Sequence, residues 1–107
     1  MQSYQDNSKR IVYNIDFDGT LTDGHSYINL IPNQTVIAKV RELYFLGNII
    51  LIWSARLWEQ APLIAAWCIK NGVPFHGLML GKGGTDVYVD DKAINDKDFL
   101  TFLGETK

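Results

Sequence analysis

Two short runs, Ile11 to Ile15 and Ile49 to Trp53, are dense in β-branched and large apolar residues, and each stops abruptly in a polar tip. The first runs into Asp16-Phe17-Asp18-Gly19-Thr20 and the second into Ser54-Ala55-Arg56. Apolar runs of this length, bounded by turn residues, read as buried strands. In an open parallel sheet, ligands bind outside the carboxyl ends of the strands. A strand that ends in two acids one residue apart therefore presents them where chemistry is done, and Asp16 and Asp18 are the first candidates for a site.

Two simpler readings of Asp-x-Asp-Gly compete with this one. A calcium loop of the EF-hand kind needs glycine at its sixth position and glutamate at its twelfth, and counting from Asp16 gives Leu21 and Tyr27, so that reading fails. Asp-Gly is also a strong hairpin signal, and Asp18-Gly19 alone does not exclude a hairpin. Partners elsewhere in the chain must decide.

The pattern after Thr20 supplies them. Leu21 to Ile31 has no period and reads as an excursion over the sheet edge, too short for an independent lid. Pro32 stands where a helix can begin, with Val36, Ile37, Val40, Leu43 and Tyr44 on one face before Gly47 ends it. After the second strand, Pro62 opens a helix to Lys70, closed by Asn71-Gly72. This second helix is apolar nearly all round, so it is either deeply buried or meets another subunit. Phe75 to Leu80 predicts a third strand and Asp86 to Val89 a fourth, ending in Asp90-Asp91. A short helix capped by Asn95 or Asp96 then runs through Phe99 and Leu103. Strands alternating with helices give an α/β fold with a mainly parallel sheet.

Size and charge narrow the function. The 107 residues form one domain, with 47% apolar residues to build a single core, and a formal charge of -2 lacks the basic excess of a nucleic-acid binder. A small metabolite is the expected partner. Residues 1–9 are polar and read as a flexible lead-in to a domain over 10–104. No secretory signal or membrane span is apparent, so a cytoplasmic protein is expected. Cys68, the single cysteine, sits in the apolar stretch Leu63 to Ile69 and reads as a core filler. Trp53 and Trp67 read as core, whereas Trp58 is a candidate for the site mouth.

Three strand ends thus carry polar groups: Asp16 with Asp18, Ser54 with Arg56, and Asp90 with Asp91, with Lys82 preceding the last pair. Several acids in one crevice repel each other unless a cation neutralises them, and oxygen ligands with waters suit magnesium. At this point the set resembles the haloacid dehalogenase superfamily of phosphatases. The first motif of that family, Asp-x-Asp-Gly-Thr after an apolar strand, matches Asp16 to Thr20. Its second matches Ser54, and its third and fourth match Lys82 and Asp90-Asp91, all in the right chain order. The chain looks most like small capless members associated with capsular polysaccharide or sugar-phosphate metabolism.

The resemblance implies a three-layer, Rossmann-like, capless fold and a phosphoric monoester hydrolase. Asp16 would be the nucleophile, and Asp18 would protonate the leaving alcohol and then activate water. Magnesium would be held by Asp16, the Asp18 carbonyl, Asp90 and Asp91. Gly19, Thr20, Ser54, Ala55, Arg56 and Lys82 would bind the phosphoryl group, while His25 reads as surface or loop packing ahead of a substrate-side role. The pattern strains at one place: Gly81 to Thr85 is shorter than a parallel crossover requires, so either the connection before the last strand is short or irregular, the reading preferred here, or Phe75 to Val89 is partly a hairpin that takes Lys82 away from Asp90 and leaves Lys92 as its substitute. With no room for a cap, substrate selection falls to the Leu21 to Ile31 loop or to a neighbouring subunit.

Rival classes fare less well. A receiver-type signalling module places its acidic pair after the first strand and its Lys last, the reverse of what is found. A P-loop needs Ser or Thr after Gly81-Lys82 and Gly at position 76, where the sequence has Gly83 and His76. A silent phosphate-binding protein and a nucleotide or nucleic-acid-end phosphatase remain as alternatives.

Overall fold

The structure is a computed structural model that describes residues 10–24, 28–81 and 93–101. Strand β1 (Val12–Asp16) leads into a wide turn (Phe17–Leu21), and α1 (Gln34–Phe45) returns the chain to β2 (Ile49–Trp53). A single tight turn (Trp58–Gln60) opens directly into α2 (Ala61–Lys70), followed by β3 (Gly77–Met79) and the short α3 (Asp96–Phe99). The protein is thus α/β, with a parallel sheet in the order β1-β2-β3. The expected lead-in over 1–9 and the strand expected at Asp86 to Val89 lie outside the described residues, and the last helix ends at Phe99 with Leu100 as its C-cap, short of the expected Leu103.

The register pairs Tyr13 with Ile50 and Ile15 with Ile52, so these four side chains share one face of the sheet, and all are buried. Helices α1 and α2 bury Val36, Ile37, Val40, Leu43, Ile64 and Cys68 in one cluster with that face, as two right-handed crossovers in the same direction would place them. The burial follows that logic. The opposite face, which carries Val12 and Met79, leaves those two side chains 56% and 46% exposed. Among the described residues, then, the sheet is sealed on one side and half open on the other.

Helix α1 starts at Gln34, two residues later than Pro32 suggested. Asn33 is the N-cap, its side chain accepting the Val36 N–H at 3.2 Å, which satisfies an otherwise orphaned donor. Pro32 instead forms a one-residue antiparallel bridge with Thr22. The bridge needs no N–H from proline, because the flanking bonds Asp23 N–H to Ile31 C=O (2.6 Å) and Asn33 N–H to Leu21 C=O (2.8 Å) make it. From this start Val36, Ile37, Val40 and Leu43 fall on one helical face and are buried, each contributing about 1.5–3 kcal/mol of burial.

Helix α2 has Pro in its first turn, as expected. It is not deeply buried: Ile64 and Cys68 point inward, while Leu63 and Ile69 remain exposed. Cys68 is a core filler, and burial pushes its thiol up to about 12. Trp67 is half-buried, not fully enclosed, because its indole N–H reaches out to the Leu30 carbonyl at 2.8 Å. Trp53 is likewise half-buried, on the more open side of the sheet. Asn95 caps α3, accepting the Lys97 N–H, and the helix anchors through the buried Phe99.

Candidate functional site

Asp16 is the last residue of β1, half-buried, and lies beside Trp53 at the end of β2. Immediately after it the chain makes a wide turn closed five residues back, Thr22 N–H to Phe17 C=O at 3.1 Å. Gly19 sits at φ 83° within this turn, a conformation in which a side chain would be strained, which explains the glycine of Asp-x-Asp-Gly physically. Thr22 locks the turn from inside: its hydroxyl accepts the Gly19 N–H at 3.0 Å and donates to the Phe17 carbonyl at 3.4 Å. The Gly19 N–H is therefore directed into the turn. Thr20 lies half-buried on the same turn.

The next strand end meets this turn. Ser54 is buried and ties two strands together, its N–H donating to Met79 C=O at 2.9 Å. The Ser54 hydroxyl oxygen accepts the Arg56 N–H at 3.0 Å, which leaves the hydroxyl its own hydrogen as a donor. Ala55 is exposed between them. Arg56 is only 4% exposed and turns its guanidinium onto Asp18, Nη2 to Oδ1 at 2.8 Å and Nε to Oδ2 at 3.0 Å. This is a two-pronged ion pair of the geometry that a guanidinium fork matches best. A third contact, Nε to Asp18 Oδ1, spans 3.3 Å.

The guanidinium is braced from two further sides. Nη1 donates to Gln60 Oε1 at 3.2 Å, and the group lies 5.6 Å from the centroid of the Phe17 ring. Phe17 is fully buried and meets Trp67 edge to face, centroids 5.1 Å apart. The Arg56 carbonyl accepts the Gly81 N–H at 2.9 Å, so the residue also ties down the chain leaving β3. The exposed Trp58 packs its indole edge over Gly81, where an added Cβ would come within 3.4 Å of the ring nitrogen.

The structure thus brings together Asp16, Asp18, Gly19, Thr20, Ser54, Ala55 and Arg56 at the carboxyl ends of β1 and β2. His25, Lys82, Asp90, Asp91 and Lys92 lie outside the described residues. Three participants were not singled out from the sequence. Thr22 was hidden because it looked like a mere break in period, and Phe17 because an aromatic between two acids reads as strand. Gln60 had a weak signal, standing four residues after Arg56 at the start of a helix.

Among the described residues no cluster of three or more His, Cys, Asp or Glu side chains forms a metal site. The donors that are described, the Asp16 carboxylate and the Asp18 carbonyl, are hard oxygens of the kind magnesium takes. The Asp18 carboxylate is on Arg56, so only its backbone oxygen suits that purpose. A cleft of about 330 Å³ lies at the other end of the sheet, between Arg10, Tyr44, Asn48 and His76. It is remote from the acids, and its Asn48 and His76 hold backbone groups of the strand starts.

Fold and site together define an α/β protein with a loaded carboxyl edge on a parallel sheet that has three strands among the described residues. No protein-family model and no curated protein matches the chain. Among solved structures it is similar to the crystal structure of a target protein from Vibrio cholerae, with 28% identity and a TM-score of 0.75, over 85% of this chain and 88% of that one. No helix among the described residues is long and apolar enough to cross a membrane.

Proposed function

We propose that the chain is a magnesium-dependent phosphomonoester hydrolase of the haloacid dehalogenase type. In this reading it works through an aspartyl-phosphate, on a sugar phosphate or similar small metabolite. The observation that carries the reading is the meeting of two strand ends: Asp16 closes β1, and Asp18, two residues on, is gripped by Arg56 from the tip of β2. Two carboxylates two residues apart, one of them gripped by an arginine, are suited to different roles.

In the proposed reaction an Asp16 oxygen attacks phosphorus, the bond to the leaving oxygen breaks, and Asp18 delivers a proton to that oxygen. Water then attacks the phosphorylated Asp16, giving up a proton to Asp18, and phosphate leaves with Asp16 regenerated. The buried Ser54 hydroxyl and nearby backbone N–H groups hold phosphoryl oxygens, with Lys82 as an added positive charge. Asp16, the Asp18 carbonyl, Asp90 and Asp91 are the proposed magnesium ligands. A bound magnesium ion offsets the repulsion between the anionic nucleophile and the anionic substrate.

A panel of phosphomonoesters with and without magnesium, run beside Asp16→Asn, tests the reading. Metal-dependent phosphate release that the substitution abolishes is expected, and equal release by both proteins rules out Asp16 as nucleophile. The runner-up, a nucleotide or nucleic-acid-end phosphatase, is separated by the same panel. A homo-oligomer is proposed on the exposed Leu63 and Ile69 of α2. Sedimentation as a monomer at high concentration removes that part.

A further inference from the structure

We infer that Arg56 is the positioning residue of Asp18, orienting it for proton transfer, and that it does not serve as a contact for the phosphoryl group. The inference rests on the phosphatase reading above and assigns a role within that site. A surface arginine that recruits an anion keeps its fork toward solvent. Arg56 is 4% exposed, and its fork faces the protein: two nitrogens on Asp18, one on Gln60, and the Phe17 ring 5.6 Å from its central carbon.

Its backbone is held as firmly as its side chain. The Arg56 N–H is taken by Ser54 Oγ and its carbonyl by Gly81 N–H, so the residue is tied to the ends of β2 and β3 while it grips the turn that follows β1. Such bracing orders a long side chain before substrate arrives, and a planar fork makes the arrangement directional in a way that an ammonium cannot. The contacts at 2.8, 3.0 and 3.3 Å engage both oxygens of the Asp18 carboxylate and so fix the orientation of its plane. In the proposed step the Asp18 proton passes to the leaving oxygen as its bond to phosphorus breaks and the Asp16 oxygen bonds to phosphorus, which leaves Asp18 as the carboxylate that Arg56 already holds.

The test is the dependence of rate on the leaving group. With 2,4-dinitrophenyl, 4-nitrophenyl and phenyl phosphate the need for a proton on the leaving oxygen rises along the series, and kcat/KM reports only the steps through the first cleavage. Arg56→Ala is expected to lower kcat/KM by about 100-fold or more on phenyl phosphate but by less than about 10-fold on 2,4-dinitrophenyl phosphate, the size of effect a misplaced general acid gives. Free guanidinium should restore the phenyl phosphate rate preferentially. In the Asp18→Asn background the Arg56→Ala change should cost nothing further.

A loss equal across the series, or additive with Asp18→Asn, overturns the inference and returns Arg56 to phosphoryl binding. If Arg56→Ala does not fold, Arg56→Lys decides: it keeps the charge and loses the fork, so a steepened leaving-group dependence supports positioning and a wild-type dependence overturns it. Hydrolysis that does not depend on Asp16 defeats the phosphatase reading itself, whereas Asp16-dependent hydrolysis with unchanged slope defeats only the role of Arg56. No hydrolysis of any of the three esters by the wild type overturns both.

Discussion

The two ends of the same three strands use polar residues in opposite ways. At the amino end, Asn48 and His76 serve the backbone. Asn48 accepts the Ile11 N–H at 3.1 Å and donates to the Leu43 carbonyl at 3.1 Å, and His76 Nδ1 accepts the Ile50 N–H at 3.0 Å. At the carboxyl end, Arg56 grips a carboxylate across 38 residues of chain, and Asp16 stands two residues before that carboxylate, at the tip of β1. A side chain bonded to a backbone amide satisfies a group that folding would otherwise strand, which is a stability role. Charged side chains gathered at strand tips add little stability for the desolvation they incur, and the proposed chemistry is placed there for that reason.

The contrast predicts that the two ends fail differently. The largest effect is expected for Asp16→Asn: turnover in the magnesium-supplemented assay falls by at least about 10⁴-fold, as when a nucleophile is removed, while the thermal midpoint stays near wild type. Retained turnover would break the assignment of chemistry to the carboxyl end. Asn48→Ala should do the reverse. The Leu43 carbonyl keeps its bond from the Asn48 main-chain N–H, so only the Ile11 N–H is orphaned. A loss of about 1–3 kcal/mol in denaturant titration is expected, with kcat unchanged in the folded fraction.

Gly19→Ala lies between the two ends in character. At φ 83° an added Cβ costs about 1–2 kcal/mol in unfolding free energy, and because the turn carries Asp18, activity should fall as well. Trp67→Phe removes the indole bond to the Leu30 carbonyl and keeps a ring against Phe17. About 1 kcal/mol of stability should be lost, with activity nearly intact. The smallest effect concerns Cys68. Burial raises its thiol to about 12 from 9.0, so the native state holds its proton where the unfolded chain releases it. This contribution to stability is complete below pH 9 and declines as pH rises from 9 toward 12. Labelling of Cys68 by a thiol reagent at pH 8 should occur only as fast as the protein opens.

Much of this arrangement is legible in the residues alone. The strand at Ile49 to Trp53 and the proline-led helix that ends at Lys70 follow from period and punctuation, since burial on a sheet or helix face imposes those patterns directly. Boundaries were less legible. Pro32 looked like a helix start until Asn33 took the cap and Pro32 paired with Thr22. Local preference allowed either, and a contact across ten residues chose. The apolar surround of α2 did not mean deep burial, because hydropathy records what a residue tolerates and not whether a neighbour covers it.

The site divides along the same line. That acids close the first strand and a serine and an arginine follow the second is a matter of order along the chain, and order along a chain is written in residues. Which acid the arginine takes, with Phe17 beneath the guanidinium and Gln60 beside it, depended on bringing β1 and β2 into parallel register so that their tips meet. Spacing in sequence carries no information about that meeting, because an ion pair is set by distance and angle in space, and both are fixed only when the sheet is assembled.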